Sequence, residues 1–455
     1  MAEISTKFTG GKVFVKYITS FFNRIMQRYL PDPFLFVIIL TFVVFGLGLI
    51  FTDSGPVEMV QHWGGGFWGL LAFSMQMVLV LVTGHVLASS PIFKKILGAM
   101  ASTAKSPGSA IIIVTIVSTI ASWINWGFGL VIGALFAKEL AKRVKNVDYR
   151  LLIASAYTGF IVWHGGLSGS IPLTIATEGH FSADSIGIIP TGQTIFSTMN
   201  LVIVGALFVI LPLLNRLMLP SKDEAVTVDP AVLEDPASMQ AAALDHKQMT
   251  PAERLENSWI ISLGVSVMGL VFLFYYFAGN GFLLNLDIVN FLFLFLGILF
   301  HWRPIRFLEA VVNAIKGASG IIIQFPFYAG IMGIITASGL ADVMSEAFVS
   351  ISNEYTFHFF VFLSAGIVNI FVPSGGGQWA VQAPVVLEAA QAMNVSIPKT
   401  AMAVAWGDAW TNLIQPFWAL PALAIAGLKA KDIMGFCVIV LFISGAVISL
   451  AFLFL

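Results

Sequence analysis

The chain has 455 residues, 58% of them hydrophobic and only 10% charged, with a mean hydropathy of +0.91. A soluble globular protein is about 45–50% apolar and about 25% charged, so this composition excludes a soluble enzyme, a nucleic-acid binder and a disordered chain. It predicts an all-α polytopic membrane protein. With 23 basic and 24 acidic residues the net charge is −1, which offers no field for a polyanion, and one cysteine, Cys437, excludes a disulfide framework.

In chain order, residues 1–32 read as a cytoplasmic segment. Phe14, Ile18, Phe21, Ile25 and Tyr29 fall at helical spacing and predict an amphipathic helix lying on the membrane surface. The next apolar run is long and comes late, so the N-terminus does not read as a cleaved signal. A membrane-crossing helix needs roughly 20 apolar residues. Such runs occur near 34–52, 66–87, 194–215, 258–278, 286–302, 317–339 and 432–455. Two further spans, 152–177 and 400–427, are interrupted by Gly, Pro and polar residues. Stretches 109–140 and 356–390 are too long for one span and break at glycines; each reads as two full helices or as a re-entrant hairpin. Residues 216–257 read as a polar linker between the halves.

Basic residues mark cytoplasmic loops. Nine full spans plus two same-side stretches put 22 of the 23 Lys and Arg residues on one face, Lys399 being the exception. This predicts a cytoplasmic N-terminus and an external C-terminus. Hairpins and helix pairs satisfy the charge rule equally.

The two halves, 33–215 and 286–455, share one order of elements and are joined by a single span at 258–278, so the second half starts on the opposite side. A shift of 249 positions pairs Gly84 with Gly333, Gly127 with Gly376 and Pro172 with Pro421. The ten identities over positions 84–172 are little above chance for this composition, so the order of elements carries the argument. An inverted repeat with discontinuous helices near the midplane is a signature of secondary transporters. No span carries the polar stripe that a channel lining needs. A membrane-embedded enzyme would need a nucleophile–base pair or a metal cluster, and one intramembrane Asp with one His is too sparse.

Irregular backbone within a membrane needs protein or a water-filled cavity to satisfy it. Four such breaks are expected: Asn125–Gly129, Trp163–Pro172, Pro373–Gln378, and Asp408 through Pro416. The plainer reading of the Gly and Ser residues there is close helix packing. Glycines bare their amides, and helix N-termini favour an anion. Asn125, Trp126, Gly127, Trp163, His164, Ser168, Ser170, Ser374, Gly375, Gly376, Gln378 and Thr411 are therefore the candidate substrate contacts. Asp408 is the one acidic residue placed well inside a span, which makes it a functional candidate by default. With Asn412, Asn125 and Ser374 it forms the cation-coupling set, and Asp408, Thr411 and Asn412 offer oxygen ligands suited to Na⁺. Alone, Asp408 could carry a proton instead. No Lys or Arg falls in the breaks, so an anion would be held by amides, hydroxyls and helix dipoles, an arrangement suited to a compact monocarboxylate. Trp126, Trp163, Trp379 and Trp410 could wall its apolar tail.

The segments Ser122–Gly129 (SWINWGFG), Val162–Ser170 (VWHGGLSGS), Val372–Trp379 (VPSGGGQW) and Trp406–Asn412 (WGDAWTN) resemble the bacterial short-chain fatty acid transporters of the ion transporter superfamily, and the likeness covers nearly the whole chain. The resemblance implies uptake of acetoacetate, butyrate and similar monocarboxylates across the bacterial inner membrane; with Asp408 as cation ligand or proton carrier, the expectation is a cation-coupled symporter with no cofactor besides a coupling Na⁺ or H⁺. The resemblance further implies a dimerising scaffold, a transport domain moving as an elevator, and hairpins at 109–140 and 356–390. Export or exchange of small organic anions is the alternative. Dicarboxylate-carrying relatives have Ser-Asn-Thr at both hairpin tips; here Asn125 lacks the flanking Ser and Thr, and Ser374 precedes three glycines.

Overall fold

The computed structural model describes residues 33–221, 223–228, 233 and 249–455. The amphipathic helix expected at 12–29 and most of the 216–257 linker lie outside these residues. The described residues are helical and contain no strand.

Helix α1 (Pro33–Phe51) leads to α2 (Pro56–Gly66), α3 (Leu71–Ala88) and α4 (Pro91–Ala101). Helices α5 (Pro107–Ile124) and α6 (Trp126–Arg143) then meet at Asn125. Helix α7 (Tyr149–Thr158) tightens into 3₁₀ turns over Gly159–Gly165, unwinds, and resumes as α8 (Ser170–Ile175). A short α9 (Ala183–Ile186) precedes α10 (Thr198–Leu217); α11 (Pro251–Glu256) precedes α12 (Trp259–Asn280). The second half runs through α13 (Leu286–His301), α14 (Pro304–Ile315), α15 (Ser319–Ala337), α16 (Leu340–Ile351), α17 (Phe357–Phe371) and α18 (Gly375–Ala392). It ends with α19 (Ile397–Asn412), α20 (Pro416–Ala426) and α21 (Ala430–Phe454).

Four segments that fall between the expected spans, 53–63, 88–108, 303–316 and 340–355, are not plain loops but largely helical, as α2, α4, α14 and α16. Hydropathy hides them because each is short and carries one apolar face. Proline places three of them: Pro56, Pro91 and Pro304 occupy first-turn positions, where the missing N–H costs no intrahelical bond. The expected span 66–87 accordingly begins only at Leu71, after the turn that follows α2.

The order long helix, short helix, long helix, short helix, two adjoining helices, broken helix and long helix occurs twice, with α12 between the two runs. Helices α1 and α2 pack on α15, α3 on α13 and α14, and α12 on α13, drawing one bundle from both halves. The adjoining helices and broken helices of both halves form a second bundle, with α17 on α19, α20 on α6, and α5 and α19 on the 3₁₀ turns. Helix α3 meets α6, and α15 meets α18, where the bundles touch.

Seven helical stretches of the described residues are long and apolar enough to cross a membrane. Within Tyr149–Ile175 the most apolar window is 94% buried, against 22% for Trp259–Asn280. The broken helix is thus the protein's axis, and α12 turns most of its apolar surface outward. That outward surface has no fit with water, and the chain is a multi-pass membrane protein.

Candidate substrate and coupling site

Asn125 ends α5 in an extended conformation (φ −155°, ψ 129°) and its Oδ1 accepts the Phe128 N–H at 2.9 Å, capping α6. Ser374 does the same for α18, its Oγ accepting the Gly377 N–H at 3.3 Å. Both caps are related by the 249-position shift. Such caps satisfy amides that a helix start leaves open. Gly127 lets the first tip close on α3, because a Cβ there would stand 2.9 Å from the Leu81 carbonyl oxygen.

The first broken helix is stitched to the first tip. Ser168 Oγ accepts the Trp126 N–H at 2.9 Å, the Leu167 N–H reaches the Trp123 carbonyl at 2.7 Å, and Trp123 Nε1 donates to the Gly165 carbonyl at 3.1 Å. Gly166 must be glycine-like in size, since a Cβ would strike the Trp123 carbonyl.

Asp408 and His164, both fully buried, meet with Nδ1 2.8 Å from Oδ2. His164 Nε2 accepts the Ile171 N–H at 3.1 Å. A neutral imidazole that accepts through Nε2 carries its proton on Nδ1, so the ring donates to the Asp408 carboxylate. Asp408 Oδ1 makes no close hydrogen bond, although the Asn412 side chain also stands beside the carboxylate. Trp163 stacks on His164 and its Nε1 donates to Asn412 Oδ1 at 2.9 Å, joining two positions 249 apart.

Asn369, which the sequence reading passed over, donates from Nδ2 to the Asp408 carbonyl and to Thr411 Oγ1, each at 2.8 Å. Gln415 in turn donates to the Asn369 carbonyl. Asn200 was also missed: its Nδ2 holds the Gly165 carbonyl at 2.9 Å while Oδ1 accepts from Trp406 Nε1. Both asparagines lie inside helices rather than within a glycine run, so the marks that located the breaks did not pick them out.

The break in the second broken helix also differs from expectation. Asp408, Thr411 and Asn412 all lie inside α19, and the interruption is confined to Leu413–Gln415. Likewise Gly375–Gln378 form the first turn of α18, leaving only Val372–Ser374 unwound. A backbone kept helical to Asn412 lets Asp408 and Asn412 share one face, at i and i+4.

A cavity of about 400 Å³ opens where the bundles touch. Trp126, Ser170, Ser374, Gly375 and Gly376 line it, together with Trp418, Pro421, Gln324 and Phe325. Asn125, Gly127, Trp163, His164, Ser168, Gln378, Thr411, Asp408 and Asn412 do not. Gln378 donates to the Ala365 carbonyl and to Gln382 Oε1, tying α17 to α18. Thr411 Oγ1 donates to the Gly366 and Gly407 carbonyls. Gly375 separates the cavity from the buried pair: a Cβ on it would stand 2.6 Å from His164 Cε1. Trp126 packs edge-on against Trp418 at 5.5 Å, and both wall the cavity. Trp410 turns away, its Nε1 donating to the Leu441 carbonyl at 2.7 Å. Lys316 also lines the cavity, so a fixed cation is present after all, supplied from outside the breaks.

A family model described as short chain fatty acid transporter matches residues 14–455. The chain belongs to that family. A protein of Escherichia coli (strain K12), provisionally named a short-chain fatty acid transporter, is 45% identical over 430 residues, covering 94% of this chain and 97% of its own. A protein of the same provisional name from Haemophilus influenzae (strain ATCC 51907 / DSM 11121 / KW20 / Rd) is 43% identical over 448 residues, covering 97% of this chain and 100% of its own. The family is one of transporters, and the chain is not an enzyme. In fold it is similar to the Alcanivorax borkumensis YdaH transporter (TM-score 0.58, 15% identity, 93% of this chain and 97% of that one). It is also similar to Neisseria gonorrhoeae MtrF, described within a class of antimetabolite efflux pumps (TM-score 0.54, 12% identity, 96% of this chain and 97% of that one). Both likenesses concern the fold alone.

Proposed function

We propose that this member of the short-chain fatty acid transporter family is a cation-coupled symporter of short-chain monocarboxylates such as butyrate and acetoacetate. It works in the bacterial inner membrane, as a homodimer, by elevator-type alternating access. The observation that carries the reading is the cavity between the two bundles. Its volume falls within the range of small-ligand pockets, roughly 300–1,000 Å³. One wall offers amides and a hydroxyl at Ser374–Gly376, and the others offer Trp126, Leu130, Phe325 and Trp418. An acid with a short apolar tail fits both.

The coupling cation belongs to Asp408, behind Gly375. A buried carboxylate with one oxygen held by His164 and the other without a close hydrogen bond, beside only the neutral Asn412 amide, is costly unless a cation or proton joins it. Among the described residues no cluster of three or more His, Cys, Asp or Glu side chains surrounds it, which fits a monovalent ion or a proton rather than a divalent metal. The repeated element order supports two oppositely oriented halves with α5–α6 and α17–α18 as hairpins, and the basic residues support a cytoplasmic N-terminus and an external C-terminus.

Purified protein in proteoliposomes tests the reading. Wild type accumulates butyrate when an inward Na⁺ or H⁺ gradient is imposed, and Asp408→Asn, equally abundant and monodisperse, does not. Concentrative uptake by the variant removes Asp408 from coupling. Accumulation driven only by an outward gradient reverses the assigned direction.

A further inference from the structure

Among the described residues, Lys316 is the one lining the cavity with an ionisable side chain, and no carboxylate shares that lining. It stands in the 3₁₀ turn Lys316–Ala318, where α14 passes into α15, beside Gly317, Ser319 and Gly320, which line the cavity too. The side chain is exposed, and Nζ donates to Asn313 Oδ1, a neutral partner, at 3.2 Å. Among the described residues it forms no ion pair. An uncompensated cation at the edge of a largely apolar cavity focuses its field inward, because low-dielectric walls screen it poorly.

The polar groups across the cavity complete the arrangement. Ser374, Gly375 and Gly376 open α18, whose first-turn amides and dipole also favour negative charge. Lys316 belongs to the bundle of α3, α13 and α15, whereas Ser374 belongs to the bundle of α17 and α19. One anion-favouring group is thus fixed on each side of the contact between bundles.

We propose that Lys316 is the capture and selectivity residue for the substrate: a rim cation that draws a small organic anion into the cavity, discriminates it from uncharged analogues, and passes it to the Ser374–Gly376 tip. The assignment rests on the transport reading above. A single hydrated ammonium holds the carboxylate loosely, which suits a residue that must also release it.

The test uses full-length protein in proteoliposomes, with butyrate as substrate and ionic strength as the variable. Lys316→Gln and Lys316→Met are two neutral replacements, so that misfolding of one leaves the other informative, and Lys316→Arg keeps the charge. Both neutral variants raise the half-saturation concentration roughly five- to tenfold at low salt, while the maximal rate moves less. They also flatten its dependence on salt, because the screened charge is gone. Lys316→Arg keeps the salt dependence and a half-saturation concentration well below that of the neutral variants, because the charge remains. Neutral variants with wild-type half-saturation and wild-type salt dependence overturn the assignment, as does an arginine variant as impaired as they are. A wild-type protein without saturable butyrate transport overturns the transport reading and the lysine with it. A transporting wild type matched by the neutral variants overturns the lysine alone.

Discussion

His164 is held on three sides: Asp408 at Nδ1, the Ile171 N–H at Nε2, and the face of Trp163 at a ring separation of 4.1 Å. The backbone of Gly375 stands close by. That leaves the imidazole one tautomer and one position, and makes Gly375 the thinnest possible wall between cavity and buried carboxylate. A methyl group there would stand 2.6 Å from His164 Cε1 and 2.8 Å from the Trp163 ring, neither of which can retreat. Gly375→Ala should therefore cost about 1–3 kcal/mol of stability, the usual range for overpacking. It should also abolish butyrate uptake, while Gly192→Ala, where a Cβ meets nothing within 4 Å, leaves both unchanged. Thermal unfolding in detergent together with proteoliposome uptake measures the contrast.

At the scale of elements, the tips of the two adjoining helix pairs share one capping chemistry but differ in burial. Asn125 is fully buried and its Nδ2 has no protein partner, whereas Ser374 is partly exposed at the cavity. Removing either cap should cost about 0.5–2 kcal/mol. Asn125→Ala should fall at the upper end, because it also opens space beneath Gly84, which packs against the Asn125 side chain. Ser374→Ala should fall at the lower end while weakening butyrate binding more, since Ser374 lines the cavity. Unfolding midpoints and counterflow half-saturation for the two variants give opposite orders if this is right. The short helices α2, α4, α14 and α16 pose the reverse problem. Each is too short and too mixed in composition to register as a span.

For the whole molecule, the cavity lies where helices of one bundle face the tips of the other, so sliding one bundle along the other would expose it first on one side and then on the opposite one. Cys437 is the only cysteine and is buried, so a replacement at Ser374 provides a clean reporter. In a Cys437→Ala background, Ser374→Cys should react with a membrane-impermeant maleimide from the face that carries Lys316. Imposing butyrate with the coupling gradient should shift part of the labelling to the other face. Labelling confined to one face under every condition would argue against alternating exposure of this cavity.

Composition alone determined the class: so little charge on so apolar a chain leaves the bilayer as the fitting solvent. The glycines at Gly127, Gly165–Gly166 and Gly375–Gly377 fell beside the points where helices break, because backbone that must be approached closely needs residues without a Cβ. Charge counting by loop sets an expectation of sidedness that needs no coordinate. Only the tertiary structure decided which of the marked residues face the cavity and which are spent on packing. Thr411 and Gln378 fall into the second group because their donors reach carbonyls of neighbouring helices, a matter of approach that spacing does not encode. For the same reason Asn369, Asn200 and Trp418 stayed unseen, and Lys316 read as an ordinary loop cation. Side chains distant in sequence acquire their roles when two bundles meet, and the geometry of that meeting depends on packing across the halves rather than on any local pattern.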